Sequence, residues 1–327
     1  MRARSLGLMS TAVLAALALA GCSPAGDADT EASPTGAPAD LCDAAAPTGD
    51  AVEAVDVSGD AGKPSEASFK APLEFDEPQR LVLDEGDGDP VASGDYLQYA
   101  MTAYDAVTGD EIGQLGYGEG ELLPSLVSPE ALGQFVGCEN IGSRLVLALP
   151  GTTAQDGTQS NGQIYVFDML GTTPTAAWGE DQEPKAGLPT VELAKDGAPT
   201  VTIPEGAKAP ETTELETLKA GDGATVGEGD GVLVQYTGVK LSDGSVFDSS
   251  WDRGTPAQFQ TTGVVEGFKK ALEGQKVGSQ VLAVIPPAEG YGASEGHELQ
   301  KETLVFVVDI LATQHIEAAA ATDVPAR

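Results

Sequence analysis

Val232-Leu233-Val234-Gln235-Tyr236-Thr237-Gly238-Val239-Lys240-Leu241-Ser242-Asp243-Gly244-Ser245-Val246-Phe247-Asp248-Ser249-Ser250-Trp251-Asp252-Arg253 carries the plainest structural signal in the chain. Val232, Val234 and Tyr236 alternate with Leu233, Gln235 and Thr237, a period of two that reads as a strand with two differently dressed faces. Ser242-Asp243-Gly244 then turns the chain, because glycine supplies positive φ and aspartate bonds its own backbone. Phe247-Asp248 follows, an aromatic beside a carboxylate. A carboxylate is expensive to bury unpaired, and Arg253 stands close enough in sequence to answer that cost.

Working outward, the chain repeats itself at an offset of 135 residues. Gly62 and Pro64 match Gly197 and Pro199, and Gly86-Asp87-Gly88 matches Gly221-Asp222-Gly223. Val91, Gly94, Asp95, Thr102 and Gly109 match Val226, Gly229, Asp230, Thr237 and Gly244 without a gap. Ile141-Gly142-Ser143 with Pro150 then matches Val277-Gly278-Ser279 with Pro286 at offset 136, and Ile164 to Leu170 pairs with Val305 to Leu311. Two copies of one domain, 52–172 and 191–313, follow from this, with 173–190 as a linker and 314–327 as a tail.

At 327 residues and 41% hydrophobic content the chain can bury real cores, built from Val, Leu, Ala and Ile because aromatics are few. Lys and Arg number 17 against 51 Asp and Glu, a net charge of -34 that argues against nucleic acid as a partner. The two histidines, His297 and His315, stand in no zinc-ligand spacing. Arg2 and Arg4, the apolar Leu14 to Ala20, and Leu19-Ala20-Gly21-Cys22 have the form of a secretory signal over 1–21. The last four residues resemble a bacterial lipobox, which implies that Cys22 carries lipid and anchors the protein to the outer face of the cell membrane; the alternative is an ordinary cleaved signal or an uncleaved anchor. Residues 22–51 are Ala-, Pro-, Gly- and Asp-rich and read as a disordered tether. Cys42 and Cys138 remain, either paired in an oxidising compartment or free thiols.

In the second copy Val264 to Leu272 places Val265, Phe268 and Leu272 at helical spacing and ends at Gly274. Val281 to Ile285 and Leu304 to Leu311 read as strands. Several antiparallel strands and one short helix make an α+β domain in which the helix covers a half-buried sheet.

The second copy resembles the FKBP-type peptidyl-prolyl cis-trans isomerase domain. The resemblance runs through Val234-Gln235-Tyr236-Thr237-Gly238, Gly244-Ser245-Val246-Phe247-Asp248-Ser249-Ser250, Val264-Val265-Glu266-Gly267-Phe268, Lys276-Val277-Gly278-Ser279, Tyr291-Gly292 and Thr303-Leu304-Val305-Phe306. It implies two FKBP-like domains, each a curled antiparallel sheet of five or six strands wrapped round one short helix. It further implies that Tyr236, Phe247, Asp248, Tyr291 and Phe306 carry catalysis. Arg253, Phe259, Val264, Val265, Phe268 and Leu299 would contact substrate, with Phe268 as the floor. The implied activity is rotation about X-Pro bonds, with no cofactor or metal, on proline-containing polypeptides, and a macrolide is the implied small ligand.

Departures from the family pattern bear on substrate preference. Phe268 stands where many members have tryptophan, Ala257 replaces an aromatic, and the loop after Tyr291 is short, with Leu299 as its nearest apolar residue. In the first copy Tyr236 becomes Met101, Phe247 becomes Ile112 and Asp248 becomes Gly113, so the fold-bearing glycines stay and the site residues go. The first copy is therefore expected to be non-catalytic, a client-binding or spacer module. The leading reading is an extracytoplasmic prolyl isomerase; a non-catalytic chaperone or scaffold and a small-molecule sensor are the alternatives.

Overall fold

The computed structural model describes residues 40–154 and 156–316. The secretory signal, Cys22 and residues 317–327 lie outside the described residues.

Two sheets of matching design form two lobes. In lobe one, short helices α1 (Leu41–Ala44) and α2 (Asp50–Glu53) precede the hairpin β1 (Asp56–Ser58) and β2 (Glu66–Ser68). The main strands are β3 (Gln79–Asp84), β4 (Tyr96–Asp105), β5 (Glu111–Leu115), β6 (Ser125–Leu126), β7 (Arg144–Leu149) and β8 (Gln163–Thr173), with α3 (Gly133–Val136) between β6 and β7. Their order is β3-β7-β8-β4-β5, with β6 also on β4.

Lobe two adds β9 (Glu180–Asp181) and the hairpin β10 (Thr190–Leu193) and β11 (Pro199–Thr202). Then come β12 (Glu214–Ala220), β13 (Gly231–Lys240), β14 (Val246–Ser249), α4 (Ser250–Arg253), β15 (Ala257–Gln260), α5 (Glu266–Leu272), β16 (Gln280–Ile285) and β17 (Leu304–Gln314). Its order is β9-β12-β16-β17-β13-β14, with β15 on β13. The short β9 makes it a seven-stranded sheet, one more than the resemblance implied.

The repeat extends to hydrogen-bond register. Thr102 faces Gln114 and Ala103 faces Gly113 before a one-residue slip, and Thr237 faces Ser249 and Gly238 faces Asp248 before the same slip. Gly109 and Gly244 both hold positive φ in the turn between the paired strands, which L side chains rarely adopt.

Each sheet is covered on both faces, so the expected half-buried sheet is corrected. In lobe two α5 packs one face through Phe268, Ala271 and Leu272, while Val191, Val201 and Ile203 of the β10–β11 region cover Leu282, Val284, Val305 and Val307 on the other. This explains why all six positions of β16 are buried. At about 1.5–3 kcal/mol per fully buried large aliphatic, the double cover is a major source of stability. The helix begins at Glu266 rather than Val264, because Val265 is extended with ψ 149°.

Three further expectations change. Residues 40–51, expected within the tether, pack on lobe one: Leu41 and Ala51 are buried, and Cys42 is joined to Cys138 in a disulfide. The expected linker, 173–190, is bonded to lobe two. Asp309 is buried and must find donors. Ala177 N–H donates to it at 2.9 Å and Gln280 Nε2 at 2.7 Å. Gly179 N–H donates to Gly278 O at 2.9 Å, and β9 pairs with β12. Burial pushes the Asp309 carboxyl above the usual carboxylate range. In lobe one the register partner Asp168 is instead held by Arg144, through Nε at 2.7 Å and Nη2 at 2.8 Å.

The tail expected from 314 is also structured at its start, since it meets lobe one. Leu233, Leu311 and Ala312 form an apolar cluster with Tyr96 and Leu123. Gln314 Nε2 donates to Glu121 O at 3.0 Å and His315 N–H to Gly120 O at 2.6 Å.

Candidate active site

Lobe two brings the aromatic residues of the sequence reading into one cluster. Tyr236 projects from the middle of β13, Phe306 from β17, Phe247 from β14, Phe259 from β15 and Phe268 from α5. Phe268 is 4% exposed and lies edge-on to Phe306 at 4.9 Å between ring centroids, with Tyr236 and Phe259 each at 5.9 Å. Phe247 meets Phe306 edge-on at 5.3 Å. Edge-to-face contacts of this kind set the rings at angles and leave them little freedom.

A polar wall stands on one side of the cluster. Tyr236 Oη donates to Asp248 Oδ2 at 2.6 Å and accepts from Arg253 Nη2 at 2.7 Å. Arg253 Nη1 also donates to Asp248 Oδ1, and the guanidinium carbon sits 5.3 Å from the centre of the Tyr236 ring. Burial, followed by the hydrogen bond to Asp248, pushes the Tyr236 hydroxyl up to about 12. It therefore stays protonated at neutral pH, as the donor to Asp248. Arg253 and Asp248 are 47% and 43% exposed at their side chains, so water screens the ion pair and its worth lies in orientation.

Val264, Val265 and Tyr291 are half-buried against the same cluster, and Leu299, expected at a loop tip, is buried within it. The Tyr291 ring stacks on His297 at 4.1 Å and 8°.

Sequence reading passed over three residues. A Cβ on Gly238 would lie 2.6 Å from Phe247 Cζ and 2.8 Å from Phe306 Cε1, so only glycine lets these rings close over the strand. Its signal was a glycine inside a strand. Ser250, fully buried, accepts from Tyr236 N–H at 2.8 Å and donates to Gln235 Oε1, fixing the strand beneath the wall. The third is Trp251, which packs away from these groups against Gly197.

Lobe one keeps the frame with a different filling. By register Tyr165 stands where Phe306 does and Ser125 where Phe259 does. Tyr99 and Phe167 stack at 4.9 Å where lobe two has Val234 and Val308. Ile112 is 37% exposed.

With this geometry in view, the profile of the FKBP-type peptidyl-prolyl cis-trans isomerase family matches residues 223–311. A probable FK506-binding protein of Corynebacterium glutamicum is 40% identical over 114 residues, which is 35% of this chain and 96% of that protein. The chain belongs to the FKBP-type peptidyl-prolyl cis-trans isomerase family. The FK506-binding protein of Streptomyces anulatus is 39% identical over 119 residues, 35% of this chain and 95% of its own. Among solved structures, FkpA from Escherichia coli is 27% identical, covering 40% of this chain and 53% of that one at a TM-score of 0.30, too low to bear on the fold. The enzyme class of this FKBP-type protein is peptidyl-prolyl cis-trans isomerase.

In the FKBP-type lobe the segment carrying Tyr291 is tied to α5 by one carboxylate. Glu289 Oε2 accepts from Thr213 Oγ1 at 2.5 Å, Thr213 N–H at 3.1 Å and Lys270 Nζ at 2.9 Å. The Thr213 hydroxyl, then Lys270, lower its carboxyl from 4.5 to about 2. A pKa depressed by folding adds stability that is complete above about 4.5 and lost as pH falls toward about 2. Glu289→Gln should therefore lower the melting temperature at neutral pH and flatten its decline across that acid window. An unchanged acid limb in thermal scans of the variant would show that Glu289 does not make this contribution.

Proposed function

We propose that catalysis by this FKBP-type isomerase resides in lobe two, that the protein is lipid-anchored through Cys22 on the outer face of the cell membrane, and that its clients are extracytoplasmic polypeptides with slow X-Pro bonds. The observation that carries the site assignment is the Tyr236–Asp248–Arg253 wall beside five clustered rings, against Met101, Gly113 and Ile112 at the matching positions of lobe one. The disulfide between Cys42 and Cys138 supports an oxidising compartment, as does the Leu19-Ala20-Gly21-Cys22 sequence.

The chemistry needs no bond made or broken. Rotation about X-Pro crosses a barrier of about 18–20 kcal/mol because the planar amide is resonance-stabilised. The twisted amide has lost that resonance and is less polar at oxygen. A water-poor floor of Phe268, Phe306 and Phe259 therefore disfavours the planar form relative to the twisted one. The Tyr291 hydroxyl donates to a peptide carbonyl and fixes its direction. Asp248 and Arg253 hold Tyr236 as a rigid side of the pocket, so the proline ring meets one preformed shape. Lobe one, lacking the wall, serves as a client-binding or spacer module.

Protease-free refolding of a protein limited by proline isomerisation tests the reading. Substoichiometric amounts should speed the slow phase in proportion to concentration. A changed yield with an unchanged rate would instead identify a chaperone without turnover. For the anchor, the mature N-terminus should be Cys22 with the added mass of lipid; an unmodified mature N-terminus would contradict it.

A further inference from the structure

The polar wall depends on α4, a helix of four residues with little stability of its own. Its ends are pinned locally. Ser249 accepts from Asp252 N–H at 3.2 Å, and Gly254, at φ +76°, donates its N–H to Trp251 O at 3.0 Å. Those contacts define the turn, and Ser250 ties its first residue to β13 by accepting from Tyr236 N–H at 2.8 Å and donating to Gln235 Oε1; what they leave unplaced is its C-terminal end, which carries Arg253. On one side Arg253 reaches Asp248 and Tyr236. On the other, the Trp251 ring lies against the β10–β11 turn, where a Cβ on Gly197 would be 3.2 Å from Trp251 Cη2 and 2.6 Å from the Cβ of Ala176. Ala176, Gly197 and Trp251 thus converge on one point.

Two features make that point more than incidental packing. Ala176 is held by its neighbour, since Ala177 N–H is bonded to the buried carboxylate of Asp309, and Gly197 N–H is bonded to Ala194 O at 3.0 Å. The surface that meets Trp251 is therefore fixed from beneath. Second, the Trp251 Nε1 atom is buried and has no hydrogen-bond partner among the described residues. An unpaired buried N–H costs free energy, so the side chain contributes here through its shape and area. Both Ala176 and Gly197 lie outside residues 223–311, the part that matches the family profile.

We infer that Trp251 is a positioning residue: wedged against the connector at Ala176 and the hairpin turn at Gly197, it sets α4 and so aims Arg253 at Asp248 and Tyr236. The inference rests on the assignment of catalysis to lobe two. It also gives the connector leaving lobe one at Thr173 a mechanical link to the site, since Ala176 is three residues further on.

The test measures kcat/KM for proline isomerisation on the full chain. Trp251→Ala should lower it about tenfold, the scale of a small misplacement of a site group. Trp251→Phe should restore it to within about twofold, because the indole N–H makes no bond. Gly197→Ala, which inserts a methyl between Ala176 and Trp251 and also strains a backbone at φ +99°, should reproduce the loss from the connector side by shifting the turn that Trp251 rests on, and carries the test if Trp251→Ala fails to fold. Arg253→Ala should lower kcat/KM, and adding Trp251→Ala to it should cost nothing further, because both act through one group. Multiplying losses, or a failure of phenylalanine to rescue, would overturn the positioning role. If Arg253→Ala leaves kcat/KM intact, the assignment of the wall to catalysis fails instead. If Arg253→Ala lowers it and neither Trp251→Ala nor Gly197→Ala does, the inference alone falls.

Discussion

Phe268→Ala should destabilise the protein by about 3–5 kcal/mol, the range for deleting a buried aromatic ring. Three further rings, those of Tyr236, Phe259 and Phe306, rest on Phe268 within 6 Å between centroids. The loss therefore combines transfer of the ring to water with a cavity that these neighbours cannot fill without leaving their edge-to-face geometry. Isomerase activity should fall with it, since the floor and the walls share these contacts. Urea unfolding followed by tryptophan emission is a suitable measure, because both Trp178 and Trp251 pack against elements of lobe two. A shift below about 1 kcal/mol would mean that the cluster closes over the gap and that Phe268 is not its floor.

The second large effect belongs to the other lobe. Cys42 and Cys138 are 96 residues apart, and a bridge closing a loop near that length contributes about 4–5 kcal/mol by restricting the unfolded chain. Replacing both cysteines with serine should lower the free energy of unfolding by an amount of that order and the unfolding temperature with it, and mild reduction of the native protein should do the same. Prolyl isomerisation at ambient temperature should stay within about twofold, because the bridge joins α1 to the segment after α3, remote in topology from β13, β14 and β17. A large loss of kcat/KM on reduction would tie lobe one into catalysis. Thiol blocking before and after reduction reports whether the bond is present in the isolated protein.

Much of this architecture was legible because the signals were local. The offset of 135 residues rested on turn glycines and Asp–Gly pairs, whose backbone needs do not depend on the rest of the fold, and it carried through to identical β4–β5 and β13–β14 registers. Alternation in Val232 to Tyr236 placed Tyr236 on the inner face, and Phe247-Asp248 beside Arg253 marked the wall. What escaped was set by distant partners. Residues 40–51 look like a tether in composition, yet Leu41 and the bridge from Cys42 fasten them. The connector looked free because the carboxylate that holds it, Asp309, lies 132 residues from Ala177. Trp251 was given no role, since nothing in its own segment announces Gly197. The sheet was expected to be half-covered because the helix was the one cover the sequence pattern offered, and the second becomes visible only with Val191, Val201 and Ile203 in place.

The central claim is that one of two similar lobes holds the catalytic pocket, and kcat/KM for prolyl isomerisation by Asp248→Ala tests it most directly when measured beside Ile112→Ala in lobe one. Removing Asp248 takes away the acceptor of the Tyr236 hydroxyl and the partner of Arg253. Each charge-assisted bond is worth about 1.5–3 kcal/mol when dry and less at this half-exposed site, so a fall of at least about tenfold is expected. Ile112→Ala should leave the rate within about twofold. Full activity in Asp248→Ala, or an equal loss in both variants, would contradict the assignment of catalysis to lobe two.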